Sequence, residues 1–92
     1  DRLNVGAVGR LEPEKGFDLL VRAVHQLHTA GLRVGLTIVG EGHDRPRLEA
    51  LVRELDMADH VQLVGWQSDV RRWFEAMDVF ALSSRREGLP NV

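Results

Sequence analysis

The stretch VGRLEPEKGFDLL (residues 8–20) joins an apolar segment to a helical pattern through a charged loop. The residues before it, LNVGAV (residues 3–8), predict a short strand that ends at Gly9. Apolar residues then recur at helical spacing from Phe17 to Leu27, and Gly31 supplies a C-terminal cap. The stretch therefore predicts a strand, a loop and a helix in succession.

The same succession is repeated along the chain. Residues 34–39, 61–64 and 79–82 predict three more strands, while Asp44 with Pro46, and Ser68 with Asp69, mark two more capped helices. Four strands that alternate with three helices predict an α/β fold with an open, mostly parallel sheet. Because the strands are apolar runs, we expect the sheet to be buried on both faces.

Composition limits the possible functions. The 92 residues, 43% of them hydrophobic, fit one soluble globular unit. A net charge of −2 gives no overall attraction to nucleic acid or to an anionic membrane. Without cysteine, a disulfide framework and a thiolate metal site are excluded. There is no apolar run of about 20 residues and no signal segment, so we expect a cytoplasmic protein.

Parallel strands bring the segments that follow them to one edge of the sheet, where ligands of such folds bind. Each of these segments contains a glycine, which allows tight turns and close approach of a ligand. The segments are GR (residues 9–10), GEG (40–42), GW (65–66) and SSRREG (83–88). We therefore expect a pocket at this edge.

Other nucleotide and metal motifs fit less well. GEGHDR (residues 40–45) imitates a dinucleotide fingerprint, but Arg45 replaces its third glycine and it follows the second strand. Lys15 is followed by Gly16 and Phe17 rather than by the Ser or Thr of a phosphate loop. The four histidines lack the spacing of a metal site, so none is predicted.

Arg10 and Lys15 are the main candidate ligand-binding residues. A buried pyrophosphate needs fixed cations, and Lys15 is the only lysine beside eleven arginines. It stands directly before the first predicted helix, whose amino end adds positive character. Ordinary loop cations remain the alternative. Trp66, after the third strand, is either a core residue or a platform for a base, whereas Trp73 belongs to an apolar helix face.

Four blocks in order resemble the C-terminal, donor-binding domain of the retaining glycosyltransferases of family 4 (glycosyl transferases group 1), which have the GT-B fold. The blocks are VGRLEPEKGFDLLVRAV, LTIVGEGHDRPRLEALV, VQLVGW and DVFALSSRREGLPNV. The resemblance covers essentially the whole chain and implies a Rossmann-like sheet. It implies that residues 1–92 are a fragment of the nucleotide-sugar-binding domain, with the acceptor domain and the end of this domain absent.

The resemblance assigns roles to matching residues. Arg10 and Lys15 would hold the donor diphosphate, and Glu87, the catalytic-site residue, would contact hydroxyls of the transferred sugar. The second Glu of the family pattern would fall three positions beyond Val92, so we expect the fragment alone to be inactive. The remaining assignments are Gly88, Leu89, Pro90 and Asn91 for the sugar and phosphate loop, Gly9 and Gly40 for the cleft lining, and Trp66 and Gln67 for the base pocket.

The implied activity is transfer of a hexose from a nucleoside-diphosphate sugar, such as a UDP- or GDP-sugar, to an acceptor hydroxyl with retention of configuration. No metal or other cofactor is implied, and nucleic acid is not a partner. The acceptor, a glycan, a lipid or a small molecule, would bind through the missing domain, which leaves peripheral association with the inner face of a membrane open. The alternatives are a non-catalytic nucleotide-sugar-binding module and another GT-B enzyme, synthase-like or phosphorylase-like.

Overall fold

The computed structural model describes residues 2–69, 71–75 and 77–80. Its strands are β1 (Leu3–Val8), β2 (Val34–Val39), β3 (Val61–Val64) and β4 (Val79–Phe80). Its α-helices are α1 (Phe17–Thr29), α2 (Arg45–Glu54) and α3 (Arg71–Glu75), and a short 3₁₀ turn spans Pro13–Lys15. The predicted alternation of strands and helices is confirmed, and the predicted last two residues of β4 lie outside the described residues.

The four strands form one parallel sheet in the order β3-β2-β1-β4. β1 and β2 are paired along their whole length, with Leu3 opposite Val34 and Val8 opposite Val39. The strand order reverses at β1, because the chain first moves outward to β3 and then returns to place β4 on the other side of β1. In sheets of this kind the reversal leaves a crevice at the carboxyl ends of the strands.

The hydrophobic core lies between one face of the sheet and the two longer helices. The described core residues come from both layers and from the loops at their ends. They are Val5, Ala7, Leu11, Phe17, Val21, Val24, Val34, Leu36, Ile38, Leu48, Leu51, Val52, Met57 and Val61. The spacing of Phe17, Val21 and Val24 along α1 is the helical period that the sequence predicts.

The opposite face of the sheet mixes small, polar and apolar residues. A Cβ on Gly6 would overlap the Met77 side chain, and one on Gly35 would lie 2.8 Å from the Arg2 guanidinium. Gln62 on the same face is exposed, although Val39 is fully buried. Among the described residues, the apolar burial expected on both faces is therefore more extensive on the face that α1 and α2 cover.

The helix ends confirm one predicted cap and correct another. Gly31 adopts φ +93°, its N–H donates to the His28 carbonyl at 3.0 Å, and the Leu32 N–H donates to the Leu27 carbonyl at 3.1 Å. This is the Schellman arrangement, so Gly31 ends α1 as predicted. Asp44 precedes α2 as predicted, but its side chain makes no capping hydrogen bond because its backbone is helical (φ −83°, ψ −2°) rather than extended.

The loop after β1 contributes one residue, Leu11, to the core. Leu11 is 0% exposed there, whereas Leu19, on the outer side of α1, is 49% exposed. The buried Leu11 side chain anchors the segment that carries Arg10.

Replacing these two leucines by alanine should have very different effects. Leu11→Ala leaves a cavity in the core and should lower the free energy of unfolding by about 2–5 kcal/mol. Leu19→Ala is the matched control and should cost less than about 1 kcal/mol. Urea denaturation measures both, and equal losses would contradict the placement of Leu11 in the core.

Candidate functional site

The ends of β1, β2 and β3 are aligned at the carboxyl edge of the sheet, as the sequence predicts. The Gly9 N–H donates to the Val39 carbonyl at 3.1 Å, and the Gly40 N–H donates to the Val64 carbonyl at 2.9 Å. These bonds continue the ladder one residue beyond β1 and β2. The loops that follow therefore start from neighbouring points on a fixed edge.

The turn after β1 is tied to the loop after β2 on both sides of Leu11. The Leu11 N–H donates to the Glu41 carbonyl at 2.9 Å, and the Leu11 carbonyl accepts from the Asp44 N–H at 2.8 Å. Arg10 lies between this fixed residue and Gly9, and its side chain is exposed. No acidic side chain of residues 2–69, 71–75 and 77–80 forms an ion pair with the Arg10 guanidinium.

The two glycines of GEG are required by backbone packing. A Cβ on Gly40, where φ is +152°, would overlap the Gly9 carbonyl oxygen, and a Cβ on Gly42 would overlap the Leu11 carbonyl. Gly40 and Gly42 therefore pack closely against the backbone of the loop after β1. The lining of the cleft by Gly9 and Gly40 stays a prediction, because no described contact tests it.

Lys15 ends the 3₁₀ turn, which lies within the charged loop that the sequence predicts. Pro13 begins this turn, the Lys15 N–H donates to the Glu12 carbonyl at 3.0 Å, and the Lys15 residue is half-buried. Gly16 follows in the left-handed conformation (φ +72°) and directly precedes α1. Lys15 is thus held beside the amino end of a helix, where the unpaired N–H groups favour anions.

Arg45 binds three groups at the same edge. Its guanidinium donates to the Glu41 carboxylate at 3.1 Å, the Glu49 carboxylate at 3.1 Å and the Leu63 carbonyl at 3.0 Å. It therefore connects α2 with the loop after β2 and with the end of β3. This role of Arg45 is not among the predictions from the sequence, although its spacing of four from both Glu41 and Glu49 is a recognisable ion-pair signal.

Asp44 is a buried acid rather than a helix cap. It is 7% exposed, and its two carboxylate oxygens each accept a hydrogen bond of 2.7 Å from Arg47. Arg47 also lies 3.7 Å from the Asp18 carboxylate in the first turn of α1. The hydrogen bonds to Asp44 raise the pKa of the Arg47 guanidinium above its ordinary value, and desolvation opposes this effect.

Trp66 follows β3 and is 71% exposed, which removes the core alternative for this residue. Its neighbour Gln67 is half-buried and donates to the Gly65 carbonyl at 3.4 Å. Trp73 in α3 is half-buried. The indole of Trp66 therefore presents a large apolar surface at the edge where the strands end.

Several predicted site residues cannot be placed. Glu87, Gly88, Leu89, Pro90 and Asn91 lie outside the described residues. Among the residues that the structure describes, no three His, Cys, Asp or Glu side chains converge as they would around a metal ion. No helix in that same part of the chain is long and apolar enough to cross a membrane.

Comparison with known proteins identifies the family. Residues 2–92 match the family described as Glycosyl transferases group 1. The chain belongs to this family.

Individual glycosyltransferases agree with this assignment. The lipopolysaccharide core biosynthesis glycosyltransferase LpsE of Rhizobium meliloti is 39% identical over 88 residues, which are 96% of this chain and 25% of that protein. A second relative, from Campylobacter jejuni, is 36% identical over 86 residues, which are 94% of this chain and 23% of that protein. Its name is N-acetylgalactosamine-N,N'-diacetylbacillosaminyl-diphospho-undecaprenol 4-alpha-N-acetylgalactosaminyltransferase.

The fold is also similar to solved glycosyltransferase structures. HepE of Anabaena in complex with UDP and glucose superposes with a TM-score of 0.80 at 25% identity, over 90% of this chain and 23% of that one. The predicted Rossmann-like, GT-B type of sheet is confirmed. The chain spans about a quarter of the length of the curated relatives named here.

The packing of Gly40 against Gly9 can be tested with alanine. Gly40→Ala should lower the free energy of unfolding by about 2–4 kcal/mol, because strain in the backbone adds to the overlap with a carbonyl oxygen. Gly31→Ala is the control, since φ is also positive there but the space around the Cβ is open. It should cost only about 1 kcal/mol. Equal costs in urea denaturation would show that the two loops do not approach so closely.

Proposed function

We propose that the protein containing this chain is a retaining glycosyltransferase that moves a hexose from a nucleoside-diphosphate sugar to an acceptor hydroxyl. In this proposal the 92 residues supply part of the donor site. The observation that carries it is that Arg10 and Lys15 both belong to the anchored loop (residues 9–16) that follows β1 in a sheet of this family. The Anabaena structure, which contains UDP and glucose, supports a nucleotide-sugar donor.

Arg10 and Lys15 would act on the diphosphate. When the bond between the anomeric carbon and the diphosphate oxygen breaks, negative charge grows on the departing diphosphate. Two fixed cations stabilise that charge more in the transition state than in the ground state. They would take the part that a metal ion plays in other transferases, so the proposal includes no cofactor.

The other parts of the donor would bind around these cations. The exposed Trp66 indole offers a face on which a base can stack, with Gln67 beside it, and Gly9 and Gly40 would line the cleft. Glu87 would orient the transferred sugar, while Gly88, Leu89, Pro90 and Asn91 would approach the sugar and phosphates. Residues 87–91 lie outside the described residues, so their roles rest on the family motif.

The acceptor would bind through a part of the protein other than this chain. The name of the Campylobacter relative refers to a sugar linked to diphospho-undecaprenol. This supports a lipid-linked glycan as one class of acceptor. An enzyme with such an acceptor would work in the cytoplasm, at the inner face of a membrane. Nucleic acid has no place in this proposal.

The donor can be identified by binding measurements on the full-length gene product. Calorimetry and thermal shift with UDP-, GDP- and ADP-sugars should find one base that binds more tightly than the others. Binding of none of the three would contradict the proposed function.

Loss of either cation should abolish most of the transfer while leaving the fold intact. Arg10→Ala and Lys15→Ala should each lower kcat/KM by about 100-fold or more, because each removes one charge that faces the leaving group. Arg22→Ala, which removes an exposed arginine from α1, is the control and should leave kcat/KM unchanged. Near-normal transfer by the first two variants would refute their assignment.

A further inference from the structure

We propose that Arg47 is a positioning residue for the donor diphosphate. Its guanidinium compensates the charge of Asp44, approaches Asp18, and ties the amino ends of α1 and α2 together beside the diphosphate subsite. This inference rests on the proposed function. It concerns a residue that does not itself contact the donor.

The three side chains form a compact charged group, here called the Arg47 link (Asp18, Asp44 and Arg47). Arg47 donates from Nε to Asp44 Oδ1 and from Nη2 to Asp44 Oδ2, both at 2.7 Å. Its Nη1 lies 3.7 Å from Asp18 Oδ2. The side chains of Asp44 and Asp18 are 7% and 13% exposed, whereas that of Arg47 is 50% exposed.

Each carboxylate is held close to a proposed donor cation by the backbone. The Asp44 N–H donates to the carbonyl of Leu11, the residue after Arg10. Asp18 is in the first turn of α1, three residues after Lys15. The acidic members of the Arg47 link are therefore fixed near the two ends of the loop (residues 9–16) that carries both proposed donor cations.

The two carboxylates would repel a diphosphate bound nearby, and Arg47 offsets part of this repulsion. Two carboxylates with little exposure to water are weakly screened, so they repel a nearby diphosphate more strongly than surface carboxylates do. The bidentate contact of Arg47 with Asp44 compensates one charge directly, and its approach to Asp18 reduces the effect of the other. The Arg47 guanidinium is charged throughout the working pH range, as arginine is in proteins.

The link also has a purely structural reading, in which Arg47 only holds the two helices together. The two readings differ in their dependence on ligand charge. Loss of a structural tie weakens the binding of a nucleoside diphosphate and of its monophosphate alike. Loss of charge compensation weakens the binding of the diphosphate more than that of the monophosphate, and removal of the two carboxylates restores the binding of the diphosphate.

The test uses the full-length gene product and one matched pair of ligands, UDP with UMP, or the GDP or ADP pair if the donor screen selects that base. The variants are Arg47→Met, the triple variant Asp18→Asn with Asp44→Asn and Arg47→Met, and the control Arg53→Met. Arg53 is an exposed arginine in the last turn of the same helix. Calorimetry gives each Kd, and thermal unfolding reports the fold.

Arg47→Met should raise the Kd of the diphosphate about tenfold and that of the monophosphate by no more than about threefold. The triple variant should bind the diphosphate within about threefold of the unaltered protein, and Arg53→Met should change neither Kd. If Arg47→Met does not fold, the triple variant decides. Near-normal binding of the diphosphate by the triple variant supports the inference.

Equal losses for the two nucleotides in Arg47→Met, or a triple variant that remains impaired for the diphosphate alone, would overturn the inference. In either case the proposed function would still stand, because the unaltered protein binds the diphosphate. Failure of the unaltered protein to bind any of the three diphosphates would instead overturn the proposed function, and this inference with it.

Discussion

Two backbone hydrogen bonds through Leu11 join the ends of the first two strands, and the arrangement of the carboxyl edge depends on them. The N–H of Leu11 binds the Glu41 carbonyl, and its own carbonyl binds the Asp44 N–H, while the side chain is buried in the core. Leu11 is thus fixed by two backbone hydrogen bonds and by its buried side chain. Arg10, the residue before it, lies at the edge with an exposed side chain. The absence of a Cβ on Gly40 allows the two loops to come this close.

Charged side chains are distributed unevenly around the two loops that Leu11 joins. The Arg10 side chain is exposed, whereas two acidic groups of the loop after β2 are engaged by arginines of α2. Arg45 binds the Glu41 carboxylate and Arg47 binds the Asp44 carboxylate. The exposed Arg10 guanidinium therefore offers a local positive charge despite the net charge of −2 of the whole chain, which is what a local anion site requires.

The strands, the helices and their order could be predicted from the sequence because apolar periodicity and turn glycines are local signals. The 3₁₀ turn at Lys15 could not, since its charged residues carry no periodicity. The sequence predicts Asp44 as the cap of α2, but a cap and an ion-pair partner look the same in sequence. The Asp44 backbone is helical, and its carboxylate accepts two hydrogen bonds from Arg47 instead. Trp66 could be placed at the edge from its position after a strand, whereas its exposure became known only from the fold.

The most direct test of the central claim is a crystal structure of the full-length gene product with a nucleoside diphosphate bound. The account predicts phosphate oxygens within about 3 Å of the Arg10 guanidinium and of the Lys15 ammonium, beside the amino end of α1. A diphosphate bound elsewhere, for example in the depression of about 290 Å³ that Arg2, Asn4 and His60 help to line, would contradict it.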